Sequence, residues 1–283
     1  MAFILSGFAD EYSVNFDEQL KGFKSLGIKN IELRFVDGEN VSVLSEKKVE
    51  EIKKKLKNSQ IGVSAIGSPI GKISLEDNFD QHLQLAENVF KIAKKLNCAY
   101  VRIFSFYLNG KERKDCFEQV CERLKKLIEL AKIYGVVLCH ENEEGLYGQS
   151  PEQCYELLKT FEGKLRCVFD MGNFLLGGYD PEKAYSLLKD YVEYFHVKDA
   201  LKNGVIVPCG EGDACIENIL NAFYKENPSK KVFVSLEPHL VDFVGLSSLA
   251  THDLKKEVNF KDEKEAFTYA HKNLTEILKR VEK

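Results

Sequence analysis

The chain has 283 residues, a formal net charge of −4 and an apolar fraction of 44%. A substantial core can be buried at this length, while the acidic balance disfavours nucleic acid, whose phosphates attract basic surfaces. The apolar run 2–5 is too short for a signal peptide or a membrane span, and no later run reaches about 18 residues. We therefore expect a cytoplasmic protein without a membrane partner. A homo-oligomer is compatible with the sequence.

Eight cysteines are distributed along the chain, and none of them forms a CxxC pair. Several lie inside apolar runs, such as Cys139 in VVLC and Cys167 in CVF. A chain of this size does not depend on disulfides for its core. We expect reduced and mostly buried thiols.

Short apolar runs alternate with charged amphipathic stretches eight times along the chain. This alternation is typical of parallel strands that are covered by helices, and eight such units predict an α/β fold of the (β/α)₈ TIM barrel type. No linker composition divides the chain, so we expect a single domain over residues 1–283. The predicted strands are 3–8, 28–34, 60–66, 98–104, 136–141, 165–170, 193–198 and 232–237. The predicted helices are 15–26, 45–58, 79–96, 114–134, 150–160, 181–190, 215–225 and 262–281.

Local signals support these boundaries. Ser150-Pro151 and Asp180-Pro181 each combine an N-cap residue with a proline suited to the first helical turn. Gly27 and Gly135 are positioned where helices should end. The longest stretches without helical pattern, 67–78, 104–113, 199–214 and 238–261, all follow strands. In a barrel they would form the carboxyl-terminal mouth, where active sites are built.

Each of the predicted strands five to eight ends in a side chain that can bind a metal: Glu141, Asp170, His196 and Glu237. Successive members are separated by about one βα repeat of roughly 30 residues, with a longer insertion before the last strand. Charged groups at the ends of apolar strands are costly to bury unless they are paired or ligated. Three carboxylates and one imidazole suit a divalent ion such as Mn²⁺, Co²⁺, Mg²⁺ or Zn²⁺. We expect one such ion.

Five segments make the pattern more specific. LCHENEEG, CVFDMGN, EYFHVKDA, VPCGEGDACIENIL and VFVSLEPH resemble successive signature segments of the sugar phosphate isomerase/epimerase family, in the xylose isomerase-like TIM barrel superfamily. The resemblance implies an α/β barrel in which Glu141, Asp170, His196 and Glu237 bind one ion. It also implies that Glu141 and Glu237 act as acid and base on opposite faces of a small sugar or sugar derivative. The expected reaction is isomerisation or epimerisation through an enediolate.

Two departures from the family pattern bear on the substrate more than on the metal. Many relatives have Asp-x-x-His where this chain has Asp170-Met171-Gly172-Asn173, and Glu-Asn-His where it has Glu141-Asn142-Glu143. Asn173 is a poor metal ligand but can hydrogen-bond a substrate hydroxyl.

Strand alternation predicts which neighbours face the same site, because side chains at i and i+2 share a face. Lys198 lies two residues beyond His196, where it can neutralise an enolate oxygen or hold an anionic group. His239 lies two beyond Glu237 and can contact substrate or make a structural hydrogen bond. His140 should point toward the helices.

Three further residues have two interpretations each. Arg102 inside an apolar run needs a partner, and Glu32 is one candidate for a buried ion pair. Alternatively, both contact the substrate. Glu211, in the Gly-Glu-Gly-Asp segment of a mouth loop, is a candidate substrate contact or an ordinary loop residue.

Three other functions compete with the isomerase. A dehydratase of keto-inositols would use the same fold and the same first proton abstraction. An endonuclease IV-like hydrolase would need a trinuclear zinc cluster with more histidines than this chain places at its strand ends. A non-catalytic sugar-binding protein would be expected to lose a ligand or a base. The sequence names neither the sugar nor its phosphorylation state.

Overall fold

Eight parallel strands form the centre of the computed structural model, which describes residues 2–245, 255–256 and 259–283. Their order around the sheet is β1-β8-β7-β6-β5-β4-β3-β2, and β1 and β2 lie side by side, so the barrel is nearly closed. The predicted single-domain TIM barrel is confirmed. The strands are β1 Phe3–Gly7, β2 Asn30–Leu33, β3 Gly62–Gly67, β4 Tyr100–Ile103, β5 Val137–Glu141, β6 Leu165–Asp170, β7 Val192–Val197 and β8 Val232–Leu236.

The helices follow the predicted stretches closely. A short additional helix, α6, comes directly after β6 and was not predicted, because six residues are too few for a helical period to show. The helices are α1 Phe16–Ser25, α2 Glu46–Ser59, α3 Phe79–Lys95, α4 Arg113–Tyr134, α5 Pro151–Thr160, α6 Met171–Leu176, α7 Pro181–Leu188, α8 Ile216–Glu226 and α9 Glu263–Val281.

The helix boundaries have the expected local causes. Ser150 and Asp180 accept hydrogen bonds from backbone N–H groups of the first turns of α5 and α7, each with proline at the start. Gly27 and Gly135 follow α1 and α4 with φ values of 74° and 71°, a left-handed conformation that glycine adopts without strain.

The core lies between the barrel and its helices. Strand residues such as Val168, Phe195 and Val234 are completely buried, as expected for strands covered on both faces. All eight cysteines are free thiols, and six of them are buried. Over the residues that the structure describes, no helix has the length and apolarity needed to span a bilayer.

Candidate metal centre

The four strand-end residues meet at the carboxyl-terminal mouth of the barrel. Glu141 ends β5, Asp170 ends β6, His196 lies one residue before the end of β7, and Glu237 follows β8 directly. One potential ligand atom from each side chain lies within 4.8 Å of the others. All four residues are buried, with at most 3% of their surface exposed. The barrel therefore brings together the residues that the sequence pattern singled out.

Glu141 is held through both of its oxygens. Arg102 Nη1 donates to Oε2 at 2.8 Å, and His196 Nδ1 lies 2.7 Å from Oε1. Burial alone would raise the pKa of Glu141, but the positive charges of His196 and Arg102 outweigh it and lower the pKa to about 2. The side chain is therefore an anion at neutral pH.

His196 lies between two carboxylates. Its Nε2 is 3.0 Å from Glu32 Oε2, and Tyr194 donates its hydroxyl proton to Glu32 Oε1 at 3.0 Å. Burial opposes a charge on the ring, but Glu32 and Glu141 raise the pKa of His196 well above its usual value. A carboxylate behind a ligating histidine fixes the orientation of the ring, and Glu32 is placed for this role.

The suggested ion pair between Arg102 and Glu32 is not formed. Neighbouring strands β4 and β5 place Arg102 beside Glu141, and the hydrogen bonds of Glu32 go to His196 and Tyr194. Arg102 and Glu32 are thus both buried structural partners of the candidate ligands. Any direct contact of either residue with substrate remains a prediction.

Arg34 holds Glu237. Its Nη1 donates to Glu237 Oε1 at 2.6 Å, its Nε to Asp10 Oδ2 at 2.8 Å, and its Nη2 to Glu11 Oε1 at 3.0 Å. The guanidinium also stacks on the ring of Phe8, 4.1 Å from the centroid. Sequence reasoning missed Asp10, Glu11 and Phe8. The only signal for the two acids was that Arg34, at the end of an apolar strand, requires anionic partners.

Asp170 and Lys198 approach each other at the floor of the mouth. Asp170 Oδ1 accepts the backbone N–H of Asn173 at 2.8 Å and so caps α6. Lys198 Nζ lies 3.4 Å from Asp170 Oδ2 and 3.7 Å from Glu237 Oε2. Burial raises the pKa of Asp170 to about 7. Lys198 was predicted beside the metal, and its ammonium does lie next to the two carboxylates.

Gly172 allows α6 to pack this closely. A Cβ at this position would lie 2.6 Å from the backbone oxygen of Lys198, so any larger residue would push α6 away from β7. Asn173, in the same helix, donates its side-chain amide to the backbone oxygen of Asn142 at 2.9 Å. The amide nitrogen therefore holds the loop after β5, and contact of Asn173 with substrate remains a prediction.

The remaining predicted residues fall in different places. His239 Nε2 lies 3.3 Å from Glu237 Oε1 and 3.4 Å from Glu11 Oε1, so His239 adjoins the centre. His140 packs outside the barrel, where its ring lies against Gly148. Glu211 is exposed and accepts hydrogen bonds from side chains of α9, so the structure directs it away from the other predicted site residues.

The donor set fits one divalent cation. Asp170 Oδ2 and Glu237 Oε2 are buried, and neither has a hydrogen-bond partner among the described residues. His196 Nδ1 lies 3.7 Å from Glu237 Oε2. The ammonium of Lys198 lies 3.4 Å and 3.7 Å from these two oxygens without a hydrogen bond to either. Two buried carboxylate oxygens that accept no hydrogen bond, next to an imidazole nitrogen and a second glutamate, form an environment that favours a cation.

A second group, Glu11, Glu237 and His239, also has ligand atoms within 4.8 Å of one another. It is less suited to a metal because the guanidinium of Arg34 already bonds to both of its carboxylates. Both carboxylates of this group therefore accept charge-assisted hydrogen bonds, whereas Asp170 Oδ2 and Glu237 Oε2 of the first group accept none among the described residues. The first group is therefore the better candidate.

The fold and site define an α/β barrel with an acidic, histidine-containing centre at the carboxyl ends of its last four strands. The family model of the xylose isomerase-like TIM barrel matches residues 20–277, and the chain belongs to this family. No curated protein matches the chain.

Several solved structures share the fold. D-psicose 3-epimerase from Clostridium cellulolyticum H10, solved with D-tagatose, aligns with a TM-score of 0.76 at 14% identity over 100% of both chains. The IOLI protein with a bound zinc atom gives 0.76 at 16% identity over 98% of both chains. The probable 3-DHS dehydratase AsbF from Bacillus anthracis gives 0.72 at 17% identity, over 96% of this chain and 98% of the other. At these identities the likeness establishes the fold.

Proposed function

We propose that this protein is a divalent-metal-dependent isomerase or epimerase of a small sugar or sugar derivative. The observation that supports this most strongly is the convergence of Glu141, Asp170, His196 and Glu237 in one buried centre. The two glutamates come from β5 and from the residue after β8, so a substrate between them would meet a carboxylate on either side. Membership of the xylose isomerase-like family and the epimerase among the solved structures agree with the proposal.

The chemistry that we propose is proton transfer at a carbon next to a carbonyl group. One glutamate removes the proton, which produces an enediolate, and the other returns a proton. Return to the opposite face of the same carbon gives an epimer, whereas return to the neighbouring carbon interconverts aldose and ketose. Lys198, whose ammonium lies 3.7 Å from Glu237 Oε2, can neutralise negative charge that develops on a substrate oxygen.

Four residues would hold the metal in this proposal: Glu141, Asp170, His196 and Glu237. A divalent ion at this position would act as a Lewis acid toward the oxygens of the substrate. Arg102 and Arg34 each hold one oxygen of a candidate acid/base glutamate, which fixes the directions of Glu141 and Glu237. The donor set does not distinguish Mn²⁺, Co²⁺, Mg²⁺ and Zn²⁺.

A solvent-exchange screen tests the function. Metal-loaded protein is incubated in deuterated water with ketopentoses, ketohexoses, their phosphates and keto-inositols, and NMR follows carbon-bound protons. We expect deuterium at the carbon next to the carbonyl of a converted substrate, and no exchange after the metal is removed by a chelator. Exchange that persists at the full rate without metal would contradict metal dependence. Absence of exchange from every compound would contradict the proton-transfer function.

The second candidate function is a dehydratase, which a dehydratase among the structural neighbours favours. Its early proton abstraction would also exchange deuterium, but the product would have lost water. Product mass therefore separates the two. A trinuclear hydrolase is disfavoured because, among the described residues, only His196 and His239 of the histidines adjoin the centre.

A further inference from the structure

The mouth of the barrel contains more negative than positive groups. In the part of the chain that the structure describes, four arginine and lysine side chains line the mouth, and each forms an ion pair with a carboxylate. The pairs are Arg34 with Asp10, Glu11 and Glu237, Arg102 with Glu141, Lys198 with Asp170 and Glu237, and Lys72 with Glu143. Glu32 adds a further carboxylate behind His196. Among the described residues, the carboxyl groups in these contacts number seven, two more than the four arginine and lysine side chains and the positively charged His196 together.

At the outer edge of the mouth, the positive charge of Lys72 is likewise paired with a carboxylate. Lys72 Nζ lies 3.0 Å from Glu143 Oε2, and both side chains are largely buried. Lys72 also lies over the ring of Phe104, whose face Arg102 approaches at 4.6 Å. The Lys72–Glu143 pair is therefore next to the Arg102–Glu141 pair.

The loop after β7 binds one of its own carboxylates, that of Asp199, through backbone N–H groups. In TIM barrels the loops after the last two strands frequently bind phosphate through backbone N–H groups. Here the carboxylate of Asp199 fills such a position itself. It accepts backbone N–H groups of Gly210 at 2.8 Å, Gly212 at 3.1 Å, Ala214 at 3.1 Å and Ala200 at 2.9 Å. An internal anion thus uses the donors that a phosphate would need.

Two internal segments of the chain lie outside the described ranges. Residues 246–254 read LSSLATHDL and residues 257–258 read EV, with neither lysine nor arginine. A phosphate monoester brings between about −1.5 and −2 charges at neutral pH and needs charged or backbone donors. A neutral polyol needs only hydrogen bonds.

We propose that the substrate of this centre is an uncharged polyhydroxy carbonyl compound rather than a phosphate ester, and that Asp199 and Glu143 determine this specificity. The inference rests on the proposed function and deepens it by naming the class of sugar. The inference distinguishes uncharged sugars from sugar phosphates, which share the same proton-transfer chemistry. Their discrimination depends on the mouth loops, and the acid/base glutamates are common to both.

Matched pairs of sugars test the class. The metal-loaded full chain is given fructose and fructose 6-phosphate, and xylulose and xylulose 5-phosphate, with calorimetry for binding and deuterium exchange for chemistry. We expect the parent sugar of at least one pair to bind at least about tenfold more tightly than its ester, a difference of about 1.4 kcal/mol. An ester that exchanges faster or binds more tightly than its parent would overturn the inference and leave the proposed function standing. Preferential binding of a parent sugar without deuterium exchange would contradict the proposed function and leave the inferred substrate class standing. Binding of neither member of either pair would overturn the proposed function and the inference.

Binding of inorganic phosphate tests the role of Asp199 separately. Wild-type protein should not bind phosphate at millimolar concentrations, whereas Asp199→Gly should gain binding because its backbone donors lose their internal acceptor. Asp213→Asn is the matched control, since it removes one negative charge from the same loop without touching those donors, and it should gain none. Phosphate binding by the wild type, or none by a folded Asp199→Gly protein, would overturn the assignment.

Glu143→Gln provides a second variant in case Asp199→Gly does not fold. Removing the charge that faces Lys72 should reduce the preference for parent sugar over ester by about twofold to fivefold, the scale of one charge pair. Lys72→Met should increase the preference. Equal preference in Glu143→Gln and wild type would show that this pair does not determine specificity.

Discussion

The two halves of the barrel contribute different kinds of residue to the centre. Strands β5 to β8 supply the four candidate ligands, Glu141, Asp170, His196 and Glu237. Strands β1 to β4 and their loops supply partners for three of them, whereas Asp170 contacts Asn173 and Lys198 from the second half. Arg102 holds Glu141, Arg34 holds Glu237, and Glu32 holds His196. The comparison teaches that the second half supplies the candidate ligands, whereas the first half holds three of them in place and balances part of their charge.

The largest expected effect comes from the second half. Glu141→Gln and Glu237→Gln keep the shape of each side chain but remove its basicity. Each should lower turnover by about 10²–10⁴-fold, the usual scale of general acid–base catalysis. One single variant can retain deuterium exchange into unconverted substrate, and the double variant should show neither exchange nor turnover. Wild-type rates in both single variants would contradict the assignment of Glu141 and Glu237 as acid and base.

The next effect is on stability and comes from the first half. Arg34→Met leaves Asp10, Glu11 and Glu237 without their buried cation, and breaking such a group costs about 3–5 kcal/mol. Arg102→Met removes the guanidinium partner of one carboxylate only, and its loss should lie at the lower end of that range. Urea unfolding measures both. A smaller loss for Arg34→Met than for Arg102→Met would contradict the ranking.

Sequence patterns identified the second half of the centre better than the first. Glu141, Asp170, His196 and Glu237 were predictable because one polar group ends each successive strand and the strand ends of a barrel meet. The partners of Arg34 and Arg102 were not predictable, because pairing across a barrel depends on packing rather than on spacing. The predicted barrel strands and major helices were correct within a few residues, while the short helix α6 was too short to show a period.

Metal affinity should depend on Asp170 more than on any partner from the first half. Asp170→Ala removes a buried carboxylate whose Oδ2 has no hydrogen-bond partner among the described residues. We expect metal affinity to fall by at least about 100-fold, the upper end of the range for residues that only support a ligand. Elemental analysis after dialysis against a weak chelator reports the occupancy. Full metal content in a folded Asp170→Ala protein would remove this residue from the site.

The smallest effects concern the support of His196. Glu32→Gln should weaken metal binding by about 10-fold to 100-fold, because the ring loses its anionic partner. Tyr194→Phe removes only one neutral hydrogen bond to Glu32 and should change stability by about 1 kcal/mol, with little change in metal affinity. Titration of apo protein with Zn²⁺ compares the two. Equal metal affinities in Glu32→Gln and wild type would show that the first half does not orient the ligand.

The most direct test is anomalous diffraction from crystals of the full chain soaked in Mn²⁺. We predict one strong peak per chain among Glu141, Asp170, His196 and Glu237, with ligand oxygens at about 2.0–2.6 Å. Glu237 belongs to both groups of candidate ligands, so the position of the peak distinguishes them. A peak between Glu11, Glu237 and His239, or no peak in crystals of protein that converts its substrate, would contradict the account.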